Sequence, residues 1–165
     1  MFLILACGTL GVGCKVQMGF KDANTSKYDG RSISIDFIEN VSSLAPSTLS
    51  QTFTEDLREI YLIQSKMNLV EQQGEVLLTG NIVGYDVTPV NITSTEDNSA
   101  SNRLTIKVKI KCVNSIDPDA EFEQVFSRFA DFDSGVSLSD VEDALIEEIN
   151  DQLTQDIFNL TFGDW

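Results

Sequence analysis

The clearest pattern in the chain is a strict alternation of apolar and polar residues between positions 103 and 112. The even positions are apolar: Leu104, Ile106, Val108, Ile110 and Cys112. The odd positions are polar and hold four of the eleven basic residues of the chain: Arg103, Lys107, Lys109 and Lys111. A period of two predicts a β-strand with one face on a core and the other in water. Cys112 falls on the buried face, where we expect it to act as a small apolar side chain.

Two other segments have helical spacing. Leu49, Phe53, Leu57 and Ile60 recur every three or four residues and predict an amphipathic helix that ends near Lys66. The acidic residues Glu55, Asp56 and Glu59 are expected on its solvated side. A second helix is predicted from five apolar residues that recur every four positions: Val141, Leu145, Ile149, Leu153 and Ile157. Ser139 and Glu142 have the spacing of a capping box at its start.

Three more strands complete the pattern. They are predicted at Ser32–Phe37, at Glu75–Val87 and at about Glu121–Asp131, and Gly80 and Gly84 in the second indicate a bulge or a close backbone approach. The order is therefore β-α-β-β-β-α. It predicts an α+β two-layer sandwich, with a four-stranded mixed sheet and two amphipathic helices on one face. The first connection is long enough for parallel pairing, and residues 32–165 are predicted to form this single domain.

The chain begins with an apolar stretch that is typical of a secretory signal. Residues 1–13 have no charged side chain and are too few to span a bilayer as a helix. Because the usual basic start is missing, the segment is interpreted as a signal that is either complete or truncated at its start. Small residues precede Cys14 as in a bacterial lipoprotein box, which makes Cys14 the predicted acylation site. Cys7 is the alternative, because Ile4, Leu5 and Ala6 fit the box better by residue type. A buried N-terminal strand or a misassigned start is the other interpretation.

Residues 14–31 are polar and rich in turn formers, so they are predicted to be a lipidated tether with little regular structure. An acylated N-terminus would anchor the protein to a membrane without spanning it. The C-terminal Trp165 can dock on the core or on a partner, and the sequence does not decide between the two.

Charge and composition exclude several functions. The net charge is -15, and residues 115–165 hold fourteen acidic residues and one basic residue, which argues against nucleic-acid binding. The chain contains no His, so catalysis by His and imidazole metal sites are ruled out. No phosphate loop, zinc spacing or calcium loop is present. The sequence therefore predicts no catalytic residues, no metal and no cofactor.

The basic residues of the alternating strand have two interpretations. Four cations share one strand face in an acidic chain, so they can form an anion-facing strip. The alternative is an ordinary solvated face whose lysines discourage edge-to-edge pairing.

Four ordered segments resemble the lipopolysaccharide-assembly lipoproteins, the LptE-like family: Pro46–Leu57, Tyr85–Val90, Asn102–Ile106 and Phe122–Phe132. The resemblance extends over nearly the whole chain, from about Cys14 to Trp165. It implies a non-enzymatic lipoprotein, lipid-anchored on the periplasmic side of the outer membrane. Such a protein plugs a β-barrel lipopolysaccharide translocon and helps deliver lipopolysaccharide to the outer leaflet.

The resemblance also implies contact with lipopolysaccharide through basic residues, for which the candidates are Arg103, Lys107, Lys109 and Lys111. The alternative function is that of a periplasm-facing lipoprotein that binds another small ligand or protein.

Overall fold

The computed structural model describes residues 25–90 and 100–162. In chain order, these residues form six strands and two helices: β1 Ser32–Ile35, β2 Glu39–Asn40, α1 Leu49–Gln64, β3 Asn68–Val70, β4 Val76–Val90, β5 Ser101–Asn114, β6 Phe122–Asp133 and α2 Leu138–Phe162. Short 3-10 turns at Thr25–Tyr28 and Pro118–Ala120 add to them.

All six strands belong to one mixed sheet, as predicted for an α+β sandwich. The strand order is β3-β1-β4-β5-β6, and the short strand β2 also pairs with β4. β1 runs parallel to both β3 and β4, as the long first connection allows. β4, β5 and β6 form an antiparallel meander, so long hairpin strands make up one half of the sheet and short parallel strands the other.

The prediction of four strands was wrong, because the structure adds β2 and β3. β2 has two residues and β3 has three, which is too short for a period of two to appear in the sequence. Both strands are held by backbone pairing to longer neighbours, β2 to β4 and β3 to β1. Tertiary contacts, rather than their own side-chain pattern, place them in the sheet.

The core lies between the sheet and the two helices. The even residues of β5, from Leu104 to Cys112, are buried as predicted, with exposed fractions of at most 1%. Burial raises the pKa of the Cys112 thiol to about 12, in keeping with its structural role. The helices close the core with apolar stripes that include Phe53 and Leu57 of α1 and Ile149 and Leu153 of α2. Each of these side chains contributes about 1.5–3 kcal/mol by its burial.

An aromatic cluster joins the end of α2 to α1 and to the first described turn. The ring of Tyr61 lies 5.1 Å from that of Phe158, and its hydroxyl is 2.7 Å from the hydroxyl of Thr161. The ring of Tyr28 lies 5.1 Å from that of Phe162. The hydroxyl of Tyr28 accepts a hydrogen bond of 2.9 Å from the side-chain amide of Asn114. Tyr28 is 2% exposed, so the packed body of the protein reaches back into the segment predicted as a tether.

The start of α2 differs from the predicted capping box. The helix begins at Leu138, so Ser139 already lies in its first turn. The hydroxyl of Ser139 contacts that of Ser137 at 2.9 Å, and Glu142 accepts a hydrogen bond from Tyr85 instead of reaching back along the helix. The carboxylate of Glu142, which the sequence predicted to cap its own helix, therefore binds Tyr85 on the sheet instead.

None of the described helices combines the length and the apolar character that are needed to cross a membrane.

Candidate functional site

The four candidate basic residues lie together on the outer face of the sheet, opposite the helices. Arg103, Lys107, Lys109 and Lys111 alternate with the buried residues of β5, so they all project from the same side of that strand. At about 3.3 Å per residue, the row from position 103 to position 111 is roughly 26 Å long. We call these four side chains the basic row.

Arg103 is the most strongly held member of the basic row. Its Nε and one terminal nitrogen donate hydrogen bonds of 2.7 and 2.8 Å to the two carboxylate oxygens of Asp131 on β6. Its guanidinium also lies 3.6 Å from the ring centroid of Phe129. The hydrogen bond from Arg103 lowers the pKa of Asp131. Both the fork geometry and the stacking fix Arg103 in place.

Two of the three lysines have one carboxylate within salt-bridge distance, and the third has none among the described residues. Lys109 pairs with Glu123 of β6 and lowers the pKa of that carboxyl, mainly through a hydrogen bond. Lys107 lies 3.5 Å from a carboxylate oxygen of Asp86 on β4. Lys111 has no carboxylate within salt-bridge distance among residues 25–90 and 100–162, although its charge also lowers the pKa of Glu123. The four cations are thus unequal as sites for an added anion.

The carboxylates that flank the basic row could not be assigned from the sequence. Asp86, Glu123 and Asp131 are 14 to 28 residues from their basic partners along the chain, and only the register of β4 and β6 against β5 brings them alongside. The sequence offered only a weak indication of these partners: Glu123 and Asp131 both occupy odd positions of β6, whose side chains point away from the helices. The basic row is therefore a strip of mixed charge.

Apolar side chains lie between these charges. Val125 is the cross-strand neighbour of Lys109, and Phe129 is that of Thr105. Both are about half exposed, at 51% and 47%. The outer face thus combines cations with exposed apolar groups, which is the composition that suits an amphiphilic ligand.

A shallow groove borders the end of the row that holds Lys109 and Lys111. It has a volume of about 310 Å³ and is lined also by the exposed ring of Phe37 and by Thr79 and Asn81. Asp36, Glu39 and Glu123 also line it. Three carboxylates against two lysines make this groove a poor site for a small anion by itself, so the exposed row rather than the groove is the candidate contact surface.

A second charged surface lies between the helices, where a groove is lined by five acidic residues: Asp56, Glu59, Asp143, Glu147 and Asp151. Asp56 was predicted to be solvated, but the buried amide of Asn150 donates a hydrogen bond of 2.8 Å to it. Burial raises the pKa of Asp56, and the nearby charges of Asp151, Glu59 and Glu55 add to this. No group of His, Cys, Asp and Glu able to hold a metal ion occurs within the described ranges.

The other candidate residues cannot be placed. Cys7, Cys14 and Trp165 lie outside the described residues.

Comparison with known proteins identifies one matching family. The family model described as LptE, lipopolysaccharide-assembly, matches residues 30–161. No curated protein matches the sequence significantly.

Solved structures share the fold at low sequence identity. A protein of Xanthomonas campestris superposes with a TM-score of 0.57 at 8% identity, covering 86% of this chain and 87% of its own. A hypothetical protein of Chlamydia trachomatis gives 0.51 at 8% identity, covering 80% and 98%. A minor lipoprotein of Acinetobacter baumannii gives 0.50 at 11% identity, covering 79% and 92%.

Proposed function

Because the chain belongs to the LptE lipopolysaccharide-assembly family, we propose that it plugs a β-barrel lipopolysaccharide translocon in the outer membrane and helps deliver lipopolysaccharide to the outer leaflet. The observation that carries the proposal is the extent of the family match, residues 30–161, which includes every strand and nearly all of α2. Its role is binding and assembly, not catalysis.

The proposed location is the periplasmic side of the outer membrane, with an acylated cysteine as the anchor. Cys14 is the proposed acylation site and Cys7 the alternative. Several acyl chains on one cysteine would hold the protein firmly to a bilayer.

We assign lipopolysaccharide contact to the basic row. Lipopolysaccharide is an amphiphile with phosphate groups and acyl chains, and the outer face offers cations beside the apolar side chains of Val125 and Phe129. A lysine ammonium binds phosphate as a point charge, whereas Arg103 would first have to release Asp131. Lys111 and Lys107 are therefore the primary contacts, and Lys109 and Arg103 contribute less.

Substitution of the basic row tests the ligand assignment. The quadruple variant Arg103→Gln, Lys107→Gln, Lys109→Gln and Lys111→Gln should bind purified lipopolysaccharide at least about tenfold more weakly, because each lost charge-assisted contact is worth about 1 kcal/mol or more. Among single variants, Lys111→Gln should weaken binding more than Arg103→Gln does.

The matched control removes two cations at the other edge of the sheet. Arg31 pairs with Glu75 at 2.9 Å and Lys66 with Asp29 at 3.3 Å, so Arg31→Gln with Lys66→Gln changes surface charge without touching the row. To equalise the charge change, this control is compared with the pair Lys107→Gln and Lys111→Gln. Equal losses in the two pairs would mean that only net charge matters, and the assignment would be wrong.

Purification of the tagged chain from mild-detergent membrane extracts tests the translocon role. A large outer-membrane barrel should be recovered in near-equal amount and identified by mass spectrometry. A variant with Cys7→Ser and Cys14→Ser separates the two contributions, because barrel contact made by the folded domain survives the loss of both acylation sites. Recovery of the anchored protein without any barrel would overturn the proposal.

A further inference from the structure

The strand β6 ends the sheet, and its outer edge is open. It is the last strand in the order β3-β1-β4-β5-β6, and no other strand of the described ranges pairs with it beyond β5. Its twelve residues pair with β5 without a register shift, and it contains no proline. Natural proteins usually shorten, bulge, cover or charge such an edge, because unpaired backbone groups recruit another strand. β6 carries charged residues but is neither short nor bulged. The opposite edge follows that rule, since β3 has three residues.

A groove runs along this open edge, between β6 and the second half of α2. It has a volume of about 300 Å³ and is lined by Gln124 and Phe126 from the strand and by Asp156, Asn159 and Leu160 from the helix. An edge strand beside a helix groove is the arrangement that accepts an extended peptide as an added strand. The backbone pairs with the edge, and alternate side chains enter the groove.

The side chains of β6 specify the chemistry of the added strand. Glu123, Asp131 and Asp133 lie on the face of β6 that points away from the helices. Asp156 of α2 borders the groove. The cation of β6 is Arg128, whose guanidinium is bonded to Asp156 at 2.6 and 2.8 Å. With three acidic residues and one basic residue, β6 carries a net charge of -2. Glu123 and Asp131 already pair with Lys109 and Arg103 of β5, so a strand that carries cations on the open side would share these carboxylates.

The side-chain pattern of β5, which already pairs with β6, shows what pattern a second neighbour of β6 needs. It places apolar residues toward the helices and Arg103, Lys109 and Lys111 beside the acidic phase of β6. The side chains of a strand flank both of its neighbours in the sheet, so a strand with the same pattern fits the outer edge. A second copy of the chain would instead place another acidic β6 against this one, and its net charge of -15 would oppose the pairing.

We propose that the outer edge of β6 is a docking site for an extended segment of a partner polypeptide, apolar on the side that faces α2 and basic on the other. The site is separate from the basic row and does not depend on the proposed lipopolysaccharide contact.

Hydrogen exchange of the full 165-residue chain with a defined probe tests this site. The probe is a synthetic peptide with the sequence of residues 103–111, Arg-Leu-Thr-Ile-Lys-Val-Lys-Ile-Lys. We expect saturable binding and slower amide exchange in residues 122–133, with no change in residues 68–70 at the other edge. The same peptide methylated on alternate backbone nitrogens keeps its charge, but it lacks the N–H donors that would pair with the edge of β6. It should therefore not slow amide exchange in β6.

Two variants compare charge at the edge with charge elsewhere on the same face. Val125→Lys places a cation on β6 and should weaken peptide binding roughly fivefold through a like-charge cross-strand contact. Val113→Lys places it on β5, where the valine is 37% exposed, and should leave binding nearly unchanged. Both positions are at the surface, so both variants should fold.

Three results would overturn the proposal. Equal binding of the methylated peptide would mean that charge alone attracts the probe. Protection in the free monomer of those β6 amides that point away from β5 would mean that another part of the chain already covers the edge. A concentration-dependent dimer that protects β6 would assign the edge to a second copy.

Discussion

The hydroxyl of Tyr85 donates a hydrogen bond to the carboxylate of Glu142, and this contact fastens the start of α2 to the sheet. Tyr85 is 3% exposed on β4, three residues beyond the bulge that begins at Ile82. The other end of α2 is fastened by the contact between Tyr61 and Thr161. Two tyrosine hydroxyls thus hold the last helix at both of its ends.

We expect Tyr85→Phe to lower the free energy of unfolding by about 1.5–3 kcal/mol, the range for a hydrogen bond to a charged group. The variant keeps the ring in the core but leaves the half-buried carboxylate of Glu142 without this donor. Urea denaturation followed by circular dichroism measures the change. The control Glu142→Gln keeps an acceptor for the tyrosine and should cost less, so an unchanged midpoint for Tyr85→Phe would contradict the expectation.

The stability of the protein should fall at alkaline pH because of these two tyrosines. Burial is the main cause of a raised pKa for both Tyr61 and Tyr85. Their hydroxyls keep their protons in the folded state, whereas tyrosines of the unfolded chain lose theirs at about pH 10. The folded state then binds more protons, so stability is full below about pH 10 and declines as the pH rises through it.

The double variant Tyr61→Phe and Tyr85→Phe tests this pH dependence. Its free energy of unfolding should be lower at pH 7 but should fall less steeply between about pH 9 and 11 than that of the parent chain. Parallel curves for the two proteins would show that other groups cause the alkaline loss.

The long periodic elements were predictable, because their side chains repeat over many residues. The alternation from Leu104 to Cys112 identified β5 and its buried face, and the four-residue repeat from Leu145 to Ile157 identified α2. β2 and β3 were not predictable, because two or three residues held by a neighbour's backbone carry no period of their own. The role of Glu142 was missed for a similar reason, since its partner lies 57 residues away.

The composition of the basic row was predictable, but its neutralisation was not. Alternation places Arg103 and the three lysines on one face of one strand. Their carboxylate partners come from two other strands, and a shift of register by one residue would move each partner to the opposite face. Asp56 was misjudged because its helical position suggested the solvated side, whereas contact with Asn150 depends on how the two helices pack.

We expect Asp56→Asn to stabilise the protein slightly at neutral pH. The pKa of Asp56 is raised in the folded state, first by burial and also by Asp151, Glu59 and Glu55. Its carboxylate therefore opposes folding at neutral pH, and this cost disappears as the pH falls through the folded pKa toward the unfolded value. The amide oxygen of the new asparagine can still accept the hydrogen bond from Asn150.

Urea denaturation at pH 7 and near pH 4 measures the effect of Asp56→Asn. The gain should be present at pH 7 and should shrink as the pH falls toward about 4, because the raised pKa lets the folded carboxyl of the parent chain take up its proton before the unfolded one does. The control Glu55→Gln changes an exposed carboxylate one residue away and should have a smaller effect. A loss of stability at pH 7 would mean that the ionised carboxylate is needed by Asn150.

The glycines of β4 should differ sharply in their tolerance of a side chain. A Cβ at position 80 would collide with the backbone oxygen of Lys109 and lie 2.8 Å from Cδ1 of Ile110. For a Cβ at position 84, the three nearest atoms all belong to the flexible side chain of Lys107, with Cδ at 3.1 Å. Backbone atoms of a paired strand cannot move aside, whereas the lysine can change its rotamer.

Gly80→Ala should therefore lower the free energy of unfolding by about 1–3 kcal/mol, as expected for overpacking against a fixed backbone. Gly84→Ala should cost less than about 1 kcal/mol, since only a surface side chain must adjust. Urea denaturation of the two variants under one condition gives the comparison. If both variants lose equal stability, the cost lies in the alanine backbone preference at β4 and not in the close approach of β5 at Gly80.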